Sequence, residues 1–125
     1  MKSFQSLSDS EMEIMRWIWG TKPPVTSNQL LTAFAHKAWK AQTMSTFLTR
    51  LVEKGLLLVE RNGKTNAYTP AVTEAEYHKR EAQHVIDSMY RGSLTDFLTA
   101  FYGGGKISEE DAAELKAWFE REVER

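Results

Sequence analysis

The sequence contains no cysteine and no long apolar run. Without cysteine, disulfides, thiolate zinc sites and a cysteine nucleophile are excluded, and a reducing compartment, the cytoplasm, is the expected location. No run reaches the roughly 18 apolar residues of a membrane helix, and the first residues, MKSFQSLSDSEM, lack the apolar segment of a signal peptide. We therefore expect no membrane partner.

Catalytic and metal-binding patterns are also missing. The three histidines share no metal-ligand spacing. The glycine run at 103–105 lacks the Lys-Ser/Thr continuation of a phosphate-binding loop, and no nucleophile, base and orienting residue are grouped. The sequence therefore predicts no metal, no cofactor and no enzymatic activity.

The small net charge is unevenly distributed along the chain. The value of −1 over 125 residues divides into 0 for residues 1–35, +4 for residues 36–64 and −5 for residues 65–125. Electrostatic attraction in salt acts over about 8 to 10 Å, so a basic segment can bind an anion on a nearly neutral chain. With 42% hydrophobic residues, the chain can bury a core as one domain or two very small units.

Helix signals fill the first part of the sequence. Ser8 begins a capping box that opens a helix ending at Gly20. Thr26 is a plausible N-cap for a second, short helix. After a break at 37–40, an amphipathic stretch predicts a third helix that Gly55 ends.

A hairpin and three more helices are predicted downstream. Residues 56–60 and 65–69 are β-prone and flank an Asn-Gly turn. Helices are expected from Thr73 to about Tyr90, along the apolar stripe from 94 to 102, and after the capping residue Ser108. Three helices followed by a hairpin is the order of a winged helix-turn-helix, in which the third helix enters the major groove.

We therefore predict a mainly α fold with a small β-hairpin. A winged helix-turn-helix DNA-binding domain would cover residues 1–71, and a helical dimerisation domain residues 72–125. The second segment is too small to be stable alone, so it is expected to complete its core with a second copy. The apolar residues expected at that interface are Leu94, Phe97, Leu98, Leu115, Trp118 and Phe119.

The third helix has an unusual polar face. Its apolar residues, from Met44 to Val52, form one stripe, while the opposite face carries short hydroxyls and one Arg50. Taken alone, this pattern fits either a solvated face with β-branched residues or a surface for close approach to a groove. The basic segment and the hairpin favour the groove, because short side chains let a helix approach bases closely.

The residues expected to contact DNA follow from this placement. Gln42 can pair with adenine, Arg50 can bind guanine or phosphate, and a Thr methyl can contact a thymine methyl. Cations at the hairpin tip and amides at the start of the second helix can bind phosphate. The full set is Gln42, Thr43, Ser45, Thr46, Arg50, Arg61, Lys64, Thr26, Ser27 and Lys40.

Several stretches resemble the penicillinase repressor family, the BlaI, MecI and CopY group of winged-helix regulators. The resemblance covers nearly the full length and rests on SEMEIMRWIW, AWKAQTMSTFLTRLVEKGLL, the hairpin ending in AYTP, MYRGSLTDFLTAF and ISEED. It implies a homodimeric repressor that blocks transcription by binding a palindromic operator of TACA/TGTA type. Relatives carry Lys at the position of Gln42 and Arg at that of Ser45, so operator preference is expected to differ.

The resemblance also implies a mode of induction. In the family, a membrane sensor protease that responds to a β-lactam leads to cleavage of the repressor at an Asn-Phe bond in the dimerisation region. The matching pair is Ala100-Phe101, where the Phe is kept and Ala replaces Asn. The copper-responsive branch uses a CxC pair, and the absence of cysteine excludes that chemistry.

Two other functions fit the same fold. A winged helix can bind protein and not DNA, and a regulator of this type can respond to a small ligand and not to a protease. The first alternative predicts binding that is insensitive to salt, whereas phosphate contacts predict a steep salt dependence.

Overall fold

A computed structural model describes residues 4–103 and 107–123. These residues form a mainly helical protein with a small antiparallel sheet, which confirms the predicted fold class. The helices are α1 Asp9–Trp19, α2 Ser27–Ala33, α3 Ala41–Glu53, α4 Glu74–Met89, α5 Leu94–Tyr102 and α6 Glu109–Val123, with a 3-10 turn at Ala35–Lys37. The strands are β1 Val25–Thr26, β2 Leu57–Asn62 and β3 Thr65–Pro70.

Side-chain caps fix the starts of most helices. Ser8 forms the predicted capping box with Glu11, and Thr26 forms a second one with Gln29. The Ser108 hydroxyl accepts a hydrogen bond from the Asp111 amide at 3.1 Å, as predicted for α6. These caps satisfy amides that the first helical turn leaves without partners.

The sheet contains one strand that the sequence did not predict. Strand β1 pairs antiparallel with β3, with Val25 opposite Tyr68 and Thr26 opposite Ala67, and the strand order is β1-β3-β2. Two residues are too few to produce an alternation pattern, so periodicity cannot reveal such a strand. Its pairing fixes the start of α2 against the hairpin.

The hairpin turn lies one residue later than the Asn-Gly dipeptide suggested. Asn62 pairs with Thr65, which leaves Gly63 and Lys64 as the two turn residues. Gly63 has φ +64°, whereas Lys64 has a negative φ, the pattern of a turn with Gly at its first central position. The correction places the Lys64 side chain in the turn itself.

One apolar core joins α1, α2, α3, the sheet and the start of α4. The buried residues are Ile14, Met15, Ile18, Val25, Leu30, Phe34, Met44, Leu48, Leu51, Leu56, Leu57, Tyr68 and Tyr77. Each such side chain contributes about 1.5 to 3 kcal/mol when it leaves water. Trp19 packs against this core and donates its indole N–H to the Val72 carbonyl at 3.0 Å.

Backbone contacts divide the chain into two units, Met1–His84 and Val85–Arg125. In the second unit no described residue is fully buried, and its aromatic side chains contact one another on α5 and α6. None of the described helices is long and apolar enough to cross a membrane. The predicted division at 71/72 stays a prediction.

Candidate nucleic-acid interface

Helix α3 buries one stripe and exposes the hydroxyl face. Met44, Leu48 and Leu51 are fully buried, while Phe47 and Val52 are half-buried against the core. The exposed residues of the opposite face are Gln42, Ser45, Thr46, Thr49 and Arg50, and Thr43 is half-buried at its edge. The predicted orientation of this helix is therefore confirmed.

One hydroxyl of this face already donates a hydrogen bond within α3. The Thr46 Oγ1 donates to the backbone carbonyl of Gln42 at 3.0 Å, a bond that Ser and Thr often form within helices. Its proton is engaged, so the oxygen can act toward a ligand only as an acceptor, and its methyl remains available. Thr46 thus fits a base amino group or a thymine methyl better than a phosphate oxygen.

The start of α3 differs from the other helix starts. Lys40 occupies the N-cap position and its side chain forms no capping hydrogen bond. An uncapped start leaves first-turn amides to solvent or to an anionic ligand. Lys40 itself is exposed and forms no salt bridge within the part of the chain that the structure describes.

An aromatic cluster leads the chain into α3. Ala38 has φ +57° and ends the 3-10 turn, which reverses the chain before Trp39. The Trp39 ring stacks on Phe34 with centroids 5.5 Å apart and meets Phe47 edge-on at 5.0 Å. These contacts hold a half-buried indole beside the first residues of α3.

Two cations of the basic segment are paired with acidic residues of α1. Lys54 Nζ lies 2.7 Å from Oε1 of Glu11 and donates to the Ser6 carbonyl at 3.0 Å. Lys37 pairs with Glu13 at 3.1 Å. Glu11 and Glu13 lie outside residues 36–64, so their charges were not included in the value of +4 for that segment. That value therefore overstates the positive charge available to a ligand.

The Glu11–Lys54 pair joins the start of α1 to the end of α3. Glu11 is 1% exposed, and burial by itself would raise the pKa of its carboxyl. Hydrogen bonds from Lys54 and Ser8, together with the Lys54 charge, outweigh burial and hold the pKa of Glu11 below its ordinary value. The Glu11 carboxylate therefore remains ionised at neutral pH.

The remaining cations lie around the hairpin and α3. Arg61 is exposed and donates its Nε–H to the Gly63 carbonyl at 2.9 Å, which braces the turn and leaves its terminal nitrogens for a ligand. Lys64 and Arg50 are exposed. Within the described residues, Lys40, Arg50, Arg61 and Lys64 form no salt bridge.

The start of α2 offers fewer donors than the sequence suggested. The Thr26 hydroxyl accepts from the Gln29 amide at 3.2 Å, and the Thr26 amide donates to the Gln29 side chain at 2.8 Å. The capping box thus engages two amides of this helix start. Ser27 is half-buried, so α2 is a weaker phosphate site than the hairpin tip.

The sequence model of the family described as Penicillinase repressor matches residues 7–121. The chain belongs to the penicillinase repressor family. Among its relatives, the penicillinase repressor of Bacillus licheniformis is 29% identical over 115 residues, covering 92% of this chain and 90% of that protein. The methicillin resistance regulatory protein MecI of Staphylococcus aureus strain N315 is 26% identical over 110 residues, covering 88% and 89% respectively.

A solved structure resembles part of this penicillinase repressor family member. The DNA-binding domain of the repressor BlaI is 32% identical, with a TM-score of 0.53, and the match covers 62% of this chain and 94% of that domain. The winged-helix fold of the first unit is thereby supported by an independent structure.

The predicted interface and cleavage residues of this family member lie outside that first unit. Phe97, Leu98, Leu115 and Phe119 are half-buried, whereas Leu94 and Trp118 are each 46% exposed. Ala100 and Phe101 lie on α5, both exposed, Phe101 to 70%. The second unit therefore presents apolar surface that its own described residues leave uncovered.

Proposed function

We propose that this chain is a DNA-binding transcriptional repressor that reads duplex DNA with α3. The observation that carries the proposal is the exposed face of short hydroxyls and Arg50 on a helix whose opposite stripe is buried. Such a face can approach base edges closely. Family membership and the resemblance to the BlaI DNA-binding domain support the same function.

The proposed contacts fall into two classes. Gln42, Ser45, Thr46 and Arg50, with Thr43 at the edge of the face, would contact base edges, where hydrogen bonds discriminate between bases. Lys40, Arg61 and Lys64 would bind phosphates, which gives affinity without sequence information. Thr26 and Ser27 would add weaker contacts to the DNA backbone near the start of α2.

We infer that the repressor works as a homodimer on a two-fold operator. Leu94, Phe101 and Trp118 expose apolar surface on α5 and α6, and a second copy would bury it. The division proposed from the sequence, a DNA-binding domain over 1–71 and a dimerisation domain over 72–125, accords with this role. Two recognition helices would then enter successive major grooves about 34 Å apart.

Derepression by proteolysis in the dimerisation region is also proposed. Cleavage near Ala100 and Phe101 would separate the two DNA-binding domains, which would then lose the effective concentration that linkage provides. Both residues are exposed on α5, so unwinding of that helix would admit a protease. A cell-wall antibiotic is the proposed signal, through a sensor-activated protease, and the cytoplasm is the proposed location.

Selection of bound duplexes from a random pool, with the mass of the complex measured, tests this function. A two-fold consensus bound by two chains is expected. A consensus bound by one chain would refute the homodimer, and failure to enrich any sequence would refute the repressor. Affinity that does not change with salt would favour a protein-binding winged helix.

A further inference from the structure

We infer that Trp39 is a DNA-backbone contact and that its indole N–H donates a hydrogen bond to a phosphate oxygen. The inference rests on the proposed function and adds a residue to it. Trp39 lies between the 3-10 turn and α3, two residues before the first residue of that helix.

The Trp39 indole carries a hydrogen-bond donor that the described residues leave without an acceptor. A tryptophan N–H is only a donor, and when buried it usually finds an acceptor. Trp19 follows this rule, because its N–H donates to the Val72 carbonyl. The Trp39 N–H has no acceptor among the described residues, and its nitrogen is not enclosed by protein, although most of the ring is covered.

The Trp39 side chain is held rigidly by its neighbours. Phe34 and Phe47 contact the Trp39 ring from two directions. The left-handed backbone of Ala38 fixes the position of the Trp39 backbone that follows it. A donor that is already fixed before binding loses little conformational entropy when it meets an acceptor. Its hydrogen bond therefore contributes more to the binding free energy than that of a mobile side chain would. An indole needed only for packing could be replaced by a ring without a polar atom.

The position of Trp39 before α3 indicates which acceptor it would meet. In a helix-turn-helix, the first turn of the recognition helix meets base edges, so the segment entering that helix runs beside the sugar-phosphate backbone. The adjacent Lys40 is exposed and forms no salt bridge within the described chain, so one unpaired cation lies beside the indole, whereas Lys37, whose Nζ lies 5.9 Å from the Trp39 ring centroid, is paired with Glu13. A phosphate oxygen is the acceptor that such surroundings favour.

The test uses the full-length chain and the indole N–H resonances of its four tryptophans. Each resonance is assigned by replacing one Trp with Phe. A duplex of mixed sequence at low salt is then added, since a phosphate contact does not require the operator. The Trp39 resonance is expected to move downfield and to exchange more slowly with solvent, whereas the Trp19 resonance, already bonded inside the protein, should stay in place.

A variant measures the contribution to affinity. Trp39→Phe keeps an aromatic ring between Phe34 and Phe47 and removes the donor, so affinity should fall about five- to tenfold for all sequences equally. Trp17→Phe is the matched control, because Trp17 is also a half-buried indole without an internal acceptor in the described residues, but on α1. The affinity of the Trp17→Phe variant for DNA should match that of the unsubstituted protein.

Two outcomes distinguish failure of the Trp39 contact from failure of the proposed DNA binding. If the amides of α3 shift on adding the duplex while the Trp39 indole does not, and Trp39→Phe binds normally, Trp39 is not a contact although α3 is. If neither the α3 amides nor any indole responds, the proposed DNA-binding function is refuted together with the inference.

Discussion

Lys54 and Lys64 lie in the same basic segment, yet the structure predicts opposite consequences when each is replaced by Met. Lys64 is exposed in the hairpin turn, whereas Lys54 is paired with Glu11 at 2.7 Å. Removing one cation that binds phosphate should flatten the dependence of log affinity on log salt by about 0.9, or about 1.8 for a dimer. Lys64→Met should show this change, and Lys54→Met should leave the slope as it is.

Stability should respond in the reverse way. Lys54→Met leaves Glu11 buried, and among the described residues only Ser8 would then donate a hydrogen bond to its carboxylate. Breaking a buried pair on one side costs about 3 to 5 kcal/mol, and the lower value applies because the Lys54 side chain keeps 20% exposure. A destabilisation of about 3 kcal/mol corresponds to a fall in Tm of at least about 12 °C in a unit of this size.

Binding titrations at several salt concentrations, with thermal unfolding of each variant, measure both effects. Lys54→Met must be assayed below its own Tm, so that the folded protein is compared. If Lys54→Met flattened the salt slope as much as Lys64→Met while leaving Tm unchanged, Lys54 would be a phosphate ligand and the inward pairing would be refuted.

Variants of four other residues, Glu11, Arg50, Thr46 and Trp118, have expected outcomes as well. The pKa of Glu11 is lower in the folded chain than in the unfolded chain. Its ionisation therefore stabilises the fold at pH values above the unfolded pKa, and this stabilisation is lost as pH falls through about 4 toward the folded pKa. Glu11→Gln should weaken that acid dependence in unfolding curves measured from pH 7 to pH 3. Arg50→Ala should cost about 1 to 3 kcal/mol of operator affinity and relax one base position in selected duplexes, if Arg50 binds a base. Thr46→Val, which keeps shape but removes the acceptor, should change the preferred base in repeated selections if the hydroxyl accepts, whereas Thr46→Ser should change it only if the methyl is read. Trp118→Asp should convert the proposed dimer to monomer in sedimentation measurements while α3 keeps its fold, and a dimer mass that does not change would place the interface elsewhere.

Local patterns allowed most of the fold to be predicted. The stripe from Met44 to Val52, the capping residues and the glycine in the turn act over a few residues, so the sequence displays them directly. Strand β1 was missed because its partner, β3, lies about forty residues away. Such pairing leaves no periodic signal in two residues.

The site was predictable in outline and less so in chemistry. The hydroxyl face follows from helical spacing, but the charge counted along residues 36–64 included Lys37 and Lys54, which both pair with acidic residues of α1. Glu11 and Lys54 are 43 residues apart in the chain, so the pair is created by packing. The donor state of Thr46, and the lack of an acceptor for the Trp39 indole among the residues that the structure describes, likewise depend on atoms placed by the fold.

The exposed face of α3 has an evolutionary consequence. Gln42 and Ser45 are exposed and outside the buried stripe, and substitutions at such positions usually change stability by less than about 0.5 kcal/mol. Mutations there are nearly free of selection for folding, whereas those at Met44 or Leu48 are not. Descendants of one ancestral regulator could therefore acquire different target genes through a few surface changes, with the scaffold inherited intact.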